Sequence, residues 1–312
     1  MVRRRLREEP SDFDPLIEYA IQYAVKEFRK ELEDGTAVLR LVEDTIYHYC
    51  VVYLRAIVGQ YFKFKNLVEA LRQFGAFFLV GAGVSFESEL PIARHMGPLV
   101  FPLLTRLHPK TDYADWESAC TDPSSSLIRA DCWKQIKDNP EILDSFKLEF
   151  KRLSDGKDPV KSHELIVKYF IDGKILELIC LNWDSLIERE YEKQTGIRIS
   201  KISSDGIVRP HSLWKLHGDV EDIHGNWILP HEEGQPFMSL VMHLNSLTSP
   251  VFVIIGYSER EIRISGDIIS KVEPLRQTFR IRPDINPLTA TERDIASSAR
   301  YAMKKIDELM SS

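Results

Sequence analysis

At 312 residues, 44% of them hydrophobic and 28% charged, the chain can bury one large core with a smaller helical satellite. A formal net charge of −6 supplies no global basic field, so direct nucleic-acid binding is not expected. No apolar run approaches the roughly 18 residues of a membrane-spanning helix, and the basic start (Arg3, Arg4, Arg5, Arg7) lacks a signal peptide's apolar stretch and reads as a solvated arm.

Residues 1–70 read as a helical segment that packs on the main domain or on another subunit. Leu16, Ile17, Tyr19, Ala20, Ile21, Tyr23 and Ala24 recur at helical spacing, with Glu18 and Lys26 opposite them. A second amphipathic run covers residues 36–58, and a third leads through Leu67, Val68 and Leu71. At Ala76 the texture changes to a five-residue apolar run ended by glycines, which predicts a buried strand. Similar runs at 175–181, 251–255 and 278–281, and a shorter one at 213–216, predict further strands. Helical stretches at 162–171 and 183–193 lie between them. The alternation predicts an α/β fold: a Rossmann-like, mainly parallel sheet with helices on both faces, spanning 71–312. Residues 97–161 interrupt it with Pro98, Pro102, Pro109, Pro123, Pro140 and a run of serines, and read as a helical insertion or lid.

Four short stretches carry chemistry. Gly81-Ala82-Gly83-Val84-Ser85 follows the first strand directly; glycines there let backbone amides approach an anion, although many buried strands end in glycine turns that bind nothing. Asn182-Trp183-Asp184 stands at the carboxyl end of the second long strand, where open α/β sheets bind ligands; Asn182 as a mere helix cap is the alternative. Lys215-Leu216-His217-Gly218-Asp219 follows another strand, and His217 is the one histidine of nine whose neighbours suggest acid–base chemistry. Gly256-Tyr257-Ser258 ends a late strand in a small-residue loop, either a second backbone approach to a dinucleotide or an ordinary turn.

In this order the four stretches resemble the sirtuin (silent information regulator) superfamily over residues 75–285. The family's GAG-x-S-x-x-S-G-I-P-D-F-R corresponds to GAGVSFESELPIAR, Gly81 to Arg94; its T-Q-N-x-D to Cys180 through Asp184; its H-G to His217-Gly218; its G-x-S to Gly256-Tyr257-Ser258. The family's aspartate and phenylalanine are Ile92 and Ala93 here, which removes the aromatic shield of the cleaved ribose. Cys50, Cys120, Cys132 and Cys180 form no C-x-x-C pair, so neither a disulfide framework nor the deacylases' zinc ribbon is expected, and reduced thiols fit a cytoplasmic protein.

The resemblance is nearest to the zinc-free, sirtuin-like NAD-hydrolysing proteins of prokaryotic antiviral defence. It implies NAD as substrate and no zinc, with Asn182 and His217 as catalytic residues. Gly81, Ala82, Gly83, Ser85, Arg94, Asp184, Gly256 and Ser258 are the implied NAD-binding set. It also implies a homo-oligomer controlled by assembly, or by a partner ATPase or nucleic-acid-guided protein. A non-catalytic NAD or ADP-ribose sensor, an assembly subunit, and a protein deacylase or ADP-ribosyltransferase are the competing readings.

Overall fold

Alternating apolar side chains build a sheet buried on both faces. The computed structural model describes residues 39–92, 95–107, 128, 130–202, 211–230, 232, 237–257, 264–286 and 290–312. Within them lie seven strands: β1 (Ala76–Val80), β2 (Ile175–Cys180), β3 (Ser200–Ile202), β4 (Ser212–Lys215), β5 (Val251–Ile255), β6 (Gln277–Arg282) and β7 (Asp294–Ala296). They pair in the order β3-β4-β2-β1-β5-β6-β7, every pair parallel.

Successive residues of a strand point to opposite faces, and the two cores follow that period. Ala76, Phe78 and Val80 of β1 join Val251, Val253 and Ile255 of β5 in one core. Its cover is α1 (Leu39–Phe74), α5 (Lys161–Ile171), α6 (Leu186–Thr195) and α8 (Ala299–Ser311), through Leu67, Ile166, Ile187 and Met303. Phe77, Leu79, Phe252 and Ile254 face the other core, roofed by α7 (Met238–Ser246) and the helical run 264–275. The expected Rossmann-like α/β architecture is therefore present, with all described strand pairs parallel.

The insertion carries a third core of its own. Helices α2 (Gly97–Leu107), α3 (Ala130–Lys137) and α4 (Pro140–Asp155) gather Val100, Leu104, Trp133, Ile136, Phe146 and Phe150 around Trp183, Val220 and Trp227. The insertion thus folds onto the loops that follow β2 and β4.

Three details differ from the sequence reading. The runs at 36–58 and around 67–71 form one unbroken 36-residue helix, α1, because no proline or glycine cluster interrupts the ladder. Its last turns, through Phe64, Leu67, Val68 and Leu71, lie in the sheet's core. Helix α6 starts at Leu186 rather than Trp183, and the short strands β3 and β7 were not anticipated. The expected helix around Leu16–Ala24 lies outside the described residues.

Candidate functional site

The sheet's winding changes direction at β1, with β2 on one side and β5 on the other. In open parallel sheets this point leaves a crevice beyond the carboxyl ends of the strands. The loops after β1, β2, β4 and β5 all emerge there.

The first and last of these loops interlock. The Gly81 N–H donates to the Ile255 carbonyl at 2.9 Å, and the Gly83 N–H to the Gly256 carbonyl at 2.8 Å. A Cβ on Gly81 would lie 2.7 Å from the Gly256 oxygen, and one on Gly256 2.7 Å from the Val84 nitrogen. Gly256 also takes φ +68, a left-handed conformation that side chains disfavour. The close approach these glycines permit is therefore to each other's loop. Ala82 opens the one-turn helix Ala82–Val84, and its carbonyl accepts from the Ser85 N–H at 3.1 Å.

Ser85 joins the β1 loop to the β2 loop. Its buried Oγ lies 3.0 Å from Asn182 Nδ2, which donates to it, and 3.2 Å from His163 Nε2. The roles follow from His163, near the start of α5. Its Nδ1 accepts the Val160 N–H at 3.1 Å, so the ring proton sits on Nε2 and is donated to Ser85. Burial holds the His163 pKa below its ordinary 6.5, against opposing pulls from Asp184, Glu190 and Val160, so the ring is neutral. Ser85 Oγ thus accepts two hydrogen bonds, leaving its own proton for a third group. Asn182 Oδ1 is buried with no hydrogen-bond partner among the described residues.

Asp184 takes the capping role that sequence reasoning had offered as an alternative for Asn182. Its Oδ1 accepts the Leu186 N–H at 3.1 Å at the start of α6, while the Asn182 amide reaches Ser85. The Asp184 carbonyl accepts from Lys215 Nζ at 2.5 Å, and the same ammonium lies 3.0 Å from Glu188 Oε1. Burial works against the Lys215 charge, but Glu188 leads the neighbours that outweigh it, and the ammonium is held protonated. Cys180, on the last residue of β2, is pushed up to about 12 by burial, so it offers no thiolate nucleophile near neutral pH.

His217 is buried at the end of β4. Its carbonyl accepts two hydrogen bonds, from the Trp183 indole N–H at 2.8 Å and from the Ile228 N–H at 2.9 Å. Gly218 turns the chain at φ +107, where an added Cβ would lie 2.8 Å from the Trp227 ring. Asp219 follows; its carboxylate pairs with Lys201, which also reaches Glu221 at 2.6 Å.

The structure therefore brings Gly81, Ala82, Gly83, Ser85, Asn182, Asp184, His217 and Gly256 to loops at one end of the sheet. Arg94 and Ser258, and Ala93 beside Arg94, lie outside the described residues. Sequence reasoning missed His163, which sits on a helical stretch with the appearance of an ordinary packing residue. The one available signal was a polar ring at the third position of a helix that follows Asp158-Pro159. Among the described residues no group of three His, Cys, Asp or Glu side chains could hold a metal ion. No described helix is long and apolar enough to cross a membrane.

One solved structure, a study of the mechanism and regulation of Sir2 enzymes, superposes with a TM-score of 0.50 at 18% identity, covering 80% of this chain and 97% of that one. The fold is the Sir2 fold. A mutant Sir2 homologue in complex with ADP-ribose is 15% identical over 79% of this chain and 96% of its own, with a TM-score of 0.49. A Sir2 homologue–NAD complex is 17% identical over 79% and 94%, with a TM-score of 0.42. No protein-family profile matches the chain, and no curated protein sequence does. The Sir2 fold is thus reached here with a sequence of low identity to those structures.

Proposed function

We propose that this protein binds NAD in the crevice beyond β1, β2, β4 and β5 and hydrolyses its nicotinamide–ribose bond to nicotinamide and ADP-ribose. The observation that carries the reading is the Asn182 amide. Its nitrogen is bonded to Ser85 at 3.0 Å, which leaves Oδ1 buried and, among the described residues, without a partner just beyond the carboxyl end of β2. A buried acceptor of this kind is costly unless a ligand or water completes it. A ribose hydroxyl or the attacking water supplies the missing donor.

The glycosidic bond breaks with its electron pair passing to the nicotinamide ring nitrogen, so the leaving group departs neutral and positive charge develops on the ribose. A water held by Asn182 adds its oxygen to the ribose carbon and passes a proton to His217, the general base, directly or through a ribose hydroxyl. Ser85, with one proton to give, takes the pyrophosphate side with Arg94 and the loop of Gly81, Ala82 and Gly83. The Gly81 and Gly83 N–H groups are already bonded to Ile255 and Gly256, and so shape that loop rather than donate to the phosphates. Asp184 holds the nicotinamide end, and Gly256 and Ser258 meet the adenosine half. The wider setting we propose is a cytoplasmic homo-oligomeric effector of prokaryotic antiviral defence, silent until assembly or a partner ATPase or nucleic-acid-guided protein triggers it.

The test is nicotinamide release from NAD by purified protein, with and without its partner. Asn182→Ala and His217→Ala should each slow release by about a hundredfold or more. Wild-type turnover in both variants would remove the site assignment. Tight NAD binding with no release under any partner condition would favour a sensor instead.

A further inference from the structure

We infer that Trp183 is a positioning residue for His217, reached by its indole N–H and held in place by the insertion's aromatic core. The inference rests on the hydrolase reading for its catalytic consequence, but its geometry stands apart from it. The His217 carbonyl is fixed by two donors, Trp183 Nε1 at 2.8 Å and the Ile228 N–H at 2.9 Å. Two hydrogen bonds to one carbonyl restrain the plane of the peptide that joins His217 to Gly218. The imidazole is joined to that backbone through a single methylene, so the peptide's tilt bounds where the ring can reach.

Trp183 is in turn fixed from the insertion side. Its ring stacks on Trp227 with centroids 5.3 Å apart and planes 24° from parallel. Phe150 and Phe146, both on α4, meet it edge-on at 5.3 and 5.7 Å. Trp227 is tied to the same helices: Lys137 of α3 donates to its carbonyl at 3.1 Å, and Lys147 of α4 donates to the Gly225 carbonyl at 2.9 Å. The Trp183 carbonyl closes the arrangement by accepting the Val220 N–H at 2.9 Å, just past Gly218. A chain of contacts thus runs from α3 and α4 through two indoles to the backbone of His217. The buried indole N–H needs an acceptor in any packing; that its acceptor is the His217 carbonyl is what couples the aromatic stack to the histidine's backbone.

The experiment compares Trp183→Phe with Trp133→Phe. Trp133 lies in the same core, edge-on to Phe146 at 5.5 Å, so its replacement also loosens the packing while the Trp183 indole bond to the His217 carbonyl stays in place. Trp183→Phe keeps an aromatic ring in the stack and removes the N–H. Two readouts are taken on full-length protein: steady-state nicotinamide release, and the His217 imidazole signals of carbon-labelled histidine by NMR, assigned with His217→Gln. Trp183→Phe should lower kcat by roughly tenfold to a hundredfold with KM little changed, the scale of a misplaced catalytic group, and should move the His217 signals. Trp133→Phe should do neither. Equal effects of the two substitutions on both readouts would overturn the inference and leave Trp183 as core packing. If wild-type protein releases no nicotinamide, the hydrolase reading fails while the NMR comparison still decides whether Trp183 positions His217.

Discussion

Replacing Ser85 with alanine tests the junction between the first two loops. The hydroxyl oxygen accepts from His163 Nε2 and Asn182 Nδ2, and all three residues are buried. Alanine removes one atom of little volume but leaves two buried N–H groups without an acceptor. At about 1–3 kcal/mol for each unsatisfied buried donor, the loss should be about 2–6 kcal/mol. Ser162→Ala is the matched control. That hydroxyl is equally buried and donates to the Val84 carbonyl at 3.2 Å, so its removal costs a single hydrogen bond, about 1 kcal/mol. Urea unfolding of both variants, with the denaturant slope checked against wild type, measures the difference. Equal losses for the two serines would refute the claim that Ser85 is the shared acceptor of His163 and Asn182.

The other expectations concern charge and backbone. His163 is held below its ordinary 6.5 by burial, so its neutral form contributes stability above that pH. The contribution is lost as pH falls below 6.5 and through the lower folded value. His163→Gln should therefore be less stable than wild type near neutrality but show a flatter decline on acidification, read by thermal unfolding across pH; parallel curves would contradict this. Lys215→Met should cost about 3–5 kcal/mol by stranding Glu188, whereas Lys215→Met combined with Glu188→Leu should recover most of it. No recovery in the double variant would mean that the Lys215 bond to the Asp184 carbonyl, not the pair, dominates. Gly256→Ala meets both a positive φ and a backbone nitrogen at 2.7 Å, so it should cost more than the 1–2 kcal/mol of left-handed strain alone. Unfolding midpoints that matched wild type would show that the β1 and β5 loops are not interlocked as described.

The sheet was legible because its central strands are buried on both faces and read as unbroken apolar runs. Ala76–Val80 and Val251–Ile255 have the bounds that hydrophobicity alone implied. The edges were not legible: Ser200-Lys201-Ile202 and Asp294-Ile295-Ala296 each bury one residue, too little to raise a signal. The site was legible as four separate strand ends, since glycine, asparagine and histidine after apolar runs stand out from packing residues. What joins them was hidden, because it depends on contacts between distant segments. Gly81 and Gly256 each looked like an approach to a ligand, yet each also makes room for the other's backbone. His163 sat inside a helical pattern, where nothing local distinguishes a ring aimed at Ser85 from one filling a core. Arg94 and Ser258 were read from the same stretches and lie outside the described residues.

The brevity of β3 and β7 bears on how copies of this protein can meet. A strand that ends a sheet invites a neighbour in proportion to the row of unused amides and carbonyls it offers. Among the described residues β3 and β7 border the sheet, and with three residues apiece they present almost no template for end-to-end growth of the sheet from one molecule into the next.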